Sequence, residues 1–340
     1  LALKPAGPAR DRPSGVEMSN HRLLAFTAVA LLFSVYYASR IGVDTLFTTR
    51  AERVDVEGQV FPDKTVLAVV KAAATFPLVV AFSGLLRLRR QRRAVGRRGP
   101  LLLPGLVLLV MVLVVSPVSS PRYLFGTAAL AVVVALGATA TPGRTRWFAL
   151  LLAASLVLVF PYADSTRRPG ATEQRSGPAE ALSSSDFDAF DQVNNAVAFV
   201  RAEGATQGRQ ALGAALFWVP RSVWTDKPED TGVLLADFRD YAFSNLSAPL
   251  WAELFINGGW AGLVVGMLAL GVVVRWLDQR PAAGPRSIRQ RGVLADILPF
   301  YLIIMLRGSL LQSMAGFAVL AVSALFVTER STPASTAPSS

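Results

Sequence analysis

The sequence predicts an all-α integral membrane protein, on three observations. Of its 340 residues, 52% are hydrophobic and only 17% are charged. The apolar residues fall in long blocks, and arginines crowd the short links between them. A bilayer core takes about 20 mostly apolar residues per helix, because no water is present to satisfy the backbone amides.

Residues 1–22 carry Lys4, Arg10, Arg12 and Arg22 without an apolar core, which marks a polar N-terminal segment rather than a cleavable signal peptide. The chain opens on Leu rather than Met, which points to a truncated or misassigned start. A membrane region over 23–163 follows, with five apolar blocks: Leu23 to Ser39, Thr65 to Leu88, Leu101 to Val118, Leu124 to Thr141 and Trp147 to Ala163. After a long insert, 164–258, a second membrane region over 259–328 begins with the block Gly259 to Val274. The run Val293 to Val327 is too long for one crossing and is interrupted at Arg307, Gly308, Ser309 and Gln312, so it reads as a hairpin. The total is about eight spans. The tail 329–340, ending STPASTAPSS, is polar and of low complexity and is expected to be disordered.

Lys and Arg in short loops stay on the cytoplasmic side. The link after the second block holds Arg87, Arg89, Arg90, Arg92, Arg93, Arg97 and Arg98. With that link inside, the N-terminal segment, the Arg144/Arg146 turn, the link from Arg275 to Arg291 and the tail fall on the same side. Both termini are then cytoplasmic, and the insert is extracytoplasmic. The formal charge of +11 is accounted for by these topology signals, which excludes nucleic acid as the expected partner. There is no cysteine and His21 is the only histidine, so neither a metal site nor a cofactor is expected.

The insert begins with a Gly-, Pro- and Ser-rich linker. Phe187, Phe190, Val193, Val197 and Val200 then recur at helical spacing, with Ser185 and Asp188 as a capping box and Gly204 as the stop. A second apolar run, Ala211 to Val219, is halted by Pro220, and Val233 to Tyr241 predicts a third short helix. These read as amphipathic or re-entrant helices over the end of the bundle. Trp218, Trp224, Tyr241 and Trp251 are suited to the headgroup level. Arg221 and Lys227 stand between such aromatics, on the side where positive charge is disfavoured.

Three stretches in this order carry a resemblance: SDFDAFDQV (Ser185 to Val193), VPRSVWTDKP (Val219 to Pro228) and WAELFINGGWAGL (Trp251 to Leu263). Together with SPVSSPRYLFG (Ser116 to Gly126) and YYASRIGVDTLFTTRAE (Tyr36 to Glu52), they resemble the oligosaccharide repeat-unit polymerases of bacterial surface polysaccharides, the Wzy or O-antigen polymerase type. The chain departs from that pattern in having fewer spans, and in Asn257-Gly258-Gly259 where Asn-Phe-Gly is usual.

The resemblance implies a GT-C-like glycosyltransferase of the bacterial cytoplasmic (inner) membrane. It would polymerise undecaprenyl-diphosphate-linked oligosaccharide repeat units at the outer face, with lipid diphosphate as leaving group and no nucleotide sugar. The implied partners are donor and acceptor lipid-linked glycans, a chain-length regulator and a flippase. A ligase-like transferase would use the same donor. A transporter or assembly partner of lipid-linked oligosaccharides would place charges along the midplane of several spans, whereas here they concentrate in the outer loops.

A departing diphosphate calls for fixed cations. The candidates are Arg122, Arg221, Lys227, Arg239 and Arg307, with Arg221 ranked first. Arg122 reads equally as an interfacial anchor and Arg307 as a snorkelling hairpin residue. An acceptor hydroxyl calls for a general base, for which Glu253 is the first choice and Asp186, Asp188 and Asp237 are alternatives. Glu253 also suits a helix start, and Asp186 or Asp188 a cap. Asp186-Phe187-Asp188 and Asp55-Val56-Glu57 are poor metal motifs, since two carboxylates without further ligands suit a divalent ion badly.

Overall fold

The computed structural model describes residues 16–18, 20–94, 96, 99, 101–155, 189–243, 246–278 and 293–330. They form α1 (Asn20–Ile41), a 3-10 turn (Asp44–Phe47), α2 (Arg50–Val60), α3 (Lys64–Ala94), α4 (Leu102–Val114), α5 (Arg122–Ala135) and α6 (Pro142–Ala154). Then come α7 (Ala189–Glu203), α8 (Arg209–Ala215), α9 (Thr231–Phe238), α10 (Leu250–Asp278), α11 (Val293–Arg307) and α12 (Leu310–Val327). The one strand pairing among these residues is short: β1 (Val16–Met18) runs antiparallel to β2 (Thr328–Arg330).

The α-helical membrane class holds. Four helical stretches are long and apolar enough to cross a bilayer: Asn20–Ile41, Lys64–Arg93, Leu250–Arg275 and Leu310–Val327. The other predicted blocks are also helical, but shorter. The block Leu101 to Val118 stops being helical after Val114, ahead of Pro117, and Leu124 to Thr141 stops after Ala135, where Gly137 takes φ +107°. The fifth block is helical to Ala154, and its end, from residue 156, lies outside the described residues. The long apolar run divides at Gly308-Ser309 into α11 and α12.

α3 is the central strut, packed by α1, α4, α5, α11 and α12, and its middle is buried without interruption from Ala74 to Leu86. The close approach of α1 is sealed by Ser34, whose Oγ donates to Ala30 O at 2.7 Å and to Ala74 O at 2.8 Å. On the other flank Tyr301 of α11 packs edge-on to Phe76 at 5.2 Å and donates to Ser313 O of α12 at 2.5 Å. Hydroxyls thereby find partners inside an apolar bundle.

Contacts sort the helix ends into two sets. At one end Arg53 of α2 reaches Ser119, Ser120 and Val114 O between α4 and α5, and Glu253 near the start of α10 meets Leu310 at the start of α12. At the other, Arg87 of α3 pairs with Asp296 of α11, Arg90 donates to Ala135 O of α5, and β1 joins β2. The α2 segment, the α4–α5 turn and the insert, whose Lys227 feels the charge of Asp63 ahead of α3, belong to the first set.

The insert has its own small core, made of Ala196, Phe199, Leu235, Ala236, Leu246, Ala252 and Ile256 from α7, α9, the α9–α10 loop and the first arm of α10. Phe199 and Phe238 meet edge-to-face at 5.3 Å. Gly204 ends α7 with φ +82°, and α8 ends at Ala215, short of Pro220. Trp218 is exposed, Trp224 half-buried, and Trp251 packs against the insert core. Ser185, Asp186, Phe187 and Asp188 lie outside the described residues.

Candidate functional site

The site is built on a break in α10. Gly258 (φ −147°, ψ 20°) and Gly259 (φ 60°, ψ −149°) leave helical geometry, and the Gly259 values belong to a region only glycine adopts freely. The carbonyls released there are taken up by the α7–α8 loop: Thr206 N–H donates to Ile256 O at 2.8 Å and Gly208 N–H to Asn257 O at 2.9 Å. The Asn257 side chain accepts Ala211 N–H of α8 at 2.9 Å and donates to Glu253 O at 2.8 Å. Asn257-Gly258-Gly259 is therefore the joint that fixes the insert to the bundle.

Glu253 lies one turn before that joint, 1% exposed. Its Oε1 accepts the Leu310 N–H at 2.9 Å, so the α11–α12 turn closes over it. None of the salt bridges among the described residues includes it. Thr231, Ser309 and a second carboxylate, Asp230, stand around it. Asp230 caps α9 through Oδ1, which accepts Gly232 N–H at 2.9 Å, while its Oδ2 and Ser309 Oγ are buried without an aligned hydrogen-bond partner. Burial pushes the Asp230 carboxyl up, against the opposing pull of Ser309, the Gly232 and Val233 amides and Gln312. A Cβ on Gly232 would come within 2.3 Å of Leu246 O, so this cap closes only on glycine.

The stretch Phe217 to Gly232 leads into the carboxylate pair. Lys227 is turned inward, 5% exposed, with Nζ donating to Phe217 O at 2.7 Å and Val219 O at 2.9 Å. Burial and then Arg221 draw the Lys227 ammonium below its ordinary range, while Asp63 pulls it up. Arg221 closes the same loop from outside: Nη1 donates to Lys227 O at 2.7 Å and Nη2 to Pro228 O at 3.3 Å, with Glu229 at 4.0 Å. Nearly half of the Arg221 side chain stays exposed.

The remaining candidates are dispersed. Arg239 donates to Asn195 Oδ1 at 2.8 Å and lies 5.6 Å from the Phe238 ring, tied between α7 and α9. Arg307 is exposed at the end of α11, two residues before Ser309, and Asp237 is exposed on α9. Arg122 opens α5, and its side chain lies outside the described residues, as do Asp186 and Asp188. The structure thus joins Glu253 to Asp230 and the α11–α12 turn, and sets Arg221 on the loop that ends at Asp230.

A second polar cluster was not anticipated from the sequence. Arg53 is 4% exposed and places all five N–H donors: Nε on Glu57 Oε1 (2.8 Å), Nη1 on Ser119 and Ser120 Oγ (3.0 and 3.1 Å), Nη2 on Tyr37 Oη and Val114 O (3.2 and 3.1 Å). Glu57 Oε1 also accepts Tyr37 O–H at 2.5 Å, and Oε2 accepts Lys71 Nζ at 2.5 Å. Burial alone would push the Glu57 carboxyl up, but Lys71, Tyr37 and Arg53 together hold it below the usual carboxylate range. Two sequence signals pointed here: the i,i+4 spacing of Arg53 and Glu57, and a lysine inside an apolar block. Among the described residues no group of three or more His, Asp or Glu could hold a metal ion.

No protein-family model, curated protein or solved structure matches the chain.

Proposed function

We propose that the protein is a membrane glycosyltransferase that polymerises undecaprenyl-diphosphate-linked oligosaccharide repeat units at the outer face of a bacterial cytoplasmic membrane. On this reading the chain crosses the bilayer about eight times in a GT-C-like arrangement, with both termini cytoplasmic. The observation that carries it is a buried carboxylate without a salt bridge among the described residues, Glu253, beside the loop that presents Arg221.

The acceptor sugar hydroxyl attacks the anomeric carbon of the donor glycan, and its proton passes to the Glu253 carboxylate. The bond from that carbon to the diphosphate oxygen breaks, and its electron pair leaves on the diphosphate. Arg221 stabilises the charge that grows there, an interaction stronger in the transition state than in the ground state. Arg307, at the turn that touches Glu253, and Arg239, at the end of α9, are the next cations to meet the phosphates. Lys227 serves from inside the loop, holding Phe217 O and Val219 O so that Arg221 faces out. α9, eight residues long, has to shift to admit the acceptor to Glu253.

The test replaces Arg221→Ala and Glu253→Gln separately in cells, reading surface glycan, lipid-linked intermediates and protein level. Loss of polymer with accumulation of single repeat units, at normal protein level, is the expected result. Full-length polymer from both variants would overturn the assignment.

A further inference from the structure

Lys71 is seven residues into α3, about 10 Å along the axis from its first residue at 1.5 Å per residue. Its helix neighbours Val69, Val70, Ala72 and Ala73 are apolar. An ammonium at such a place is costly, and charges in spans face a partner or a functional cavity.

The charge count around it does not close. Glu57 is one negative charge held by two cations, Arg53 at 2.8 Å and Lys71 at 2.5 Å, so the triad carries a surplus of one positive charge. Arg53 cannot deliver that surplus to a ligand, since its five donors are all engaged and it is buried. Lys71 can. Its side chain is 25% exposed, and Glu57 takes one of its three N–H donors. The surplus charge and the unused donors therefore coincide on one side chain.

The cluster belongs to the same end of the bundle as the Arg221 loop. Lys227 of that loop feels the charge of Asp63, whose carboxylate accepts the Thr65 and Val66 amides at the start of α3. Lys71 lies about two turns further along the same helix. A ligand that reaches both positions has an anionic head at the bilayer surface and an apolar body beside α3.

We propose that Lys71 binds the diphosphate of a polyprenyl-diphosphate-linked substrate, below the loop that carries Arg221. This rests on the glycosyl-transfer reading above. Arg53 and Tyr37 act as positioning residues: they fix Glu57, which holds the ammonium in place without neutralising the triad.

The experiment uses the full chain in lipid nanodiscs and farnesyl diphosphate as the probe. Lys71→Gln leaves the Arg53–Glu57 pair intact, so folding is expected to survive. Affinity should fall about tenfold or more, as for one charge-assisted contact, and Lys71→Arg should restore most of it. In the wild-type protein, farnesyl diphosphate should shield Lys71 from amine acylation read by mass spectrometry, and farnesol should not. Unchanged affinity in Lys71→Gln, or acylation of Lys71 unaffected by the probe, overturns the proposal and leaves the Arg221 and Glu253 assignment standing. If the wild-type protein does not bind farnesyl diphosphate at all, the glycosyl-transfer reading fails, and this proposal falls with it.

Discussion

Replacing Arg53 with methionine tests the buried cluster most directly. The substitution keeps the aliphatic bulk but removes the charge and five hydrogen bonds. All five acceptors are left with other partners: Glu57 keeps Lys71 and Tyr37, Tyr37 donates to Glu57, Ser119 donates to Leu46 O at 2.8 Å, and Ser120 donates to Val114 O at 3.5 Å. The cost therefore belongs at the low end of the range for breaking a buried ion pair, about 3 kcal/mol. The assay is unfolding of the purified protein in mixed micelles, with Glu57→Gln and the double variant completing a cycle. Because the two side chains share one hydrogen-bond network, the double variant should be more stable than the summed single effects predict, by about 1 kcal/mol or more. A loss under about 1 kcal/mol for Arg53→Met, or additivity within about 0.5 kcal/mol, would refute the reasoning.

Three further outcomes follow from the geometry. Gly259→Ala should cost about 1–3 kcal/mol, since its backbone values suit only glycine, and a thermal melt of the purified protein checks it. Lys227→Met should speed cleavage of the loop from Phe217 to Glu229 in limited proteolysis, because two carbonyls lose their tie, while Trp218→Ala, exposed and outside that tie, should not. Asp230 has its folded carboxyl raised by burial, so it contributes stability below its unfolded value, lost as pH rises through the folded value. Melting temperature should accordingly fall across that window in the wild-type protein and flatten in Asp230→Asn.

Local residue patterns announced several elements directly. Gly204 ends α7 and Gly308-Ser309 divides the last apolar run, because a glycine acts on its own backbone whatever surrounds it, whereas α8 ends at Ala215, before Pro220 can act. Apolar length was less informative. Val115 to Val118 and Leu136 to Thr141 continue their blocks in composition, yet the helices have already ended, since hydrophobicity reports burial and not backbone geometry. α2 was hidden inside a presumed loop, although Thr49 and Glu52 form a capping box at its start. Asp230 was not legible, and the Arg53 cluster only through the Arg53/Glu57 spacing and Lys71, because their other partners come from segments up to 82 and 67 residues away in the chain. Asp230 looked like one acid among several in a polar stretch, and only the fold brings Ser309 and Glu253 to it.

The break at Gly258-Gly259 has a mechanical consequence. Beyond it, α10 presents Trp260, Val264, Val265, Leu268 and Val272 outward, and little of its crossing portion is buried against protein. That exposed arm is the one on which a mismatch in bilayer thickness would act. The arm before the break is anchored by Thr206, Gly208, Ala211 and Leu310. The two arms also meet across the break, where Leu254 leaves no room for a Cβ on Gly262 or Gly266 and Phe255 packs edge-on to Trp260 at 5.2 Å, so a lean of the outer arm would press on the turn that carries Glu253.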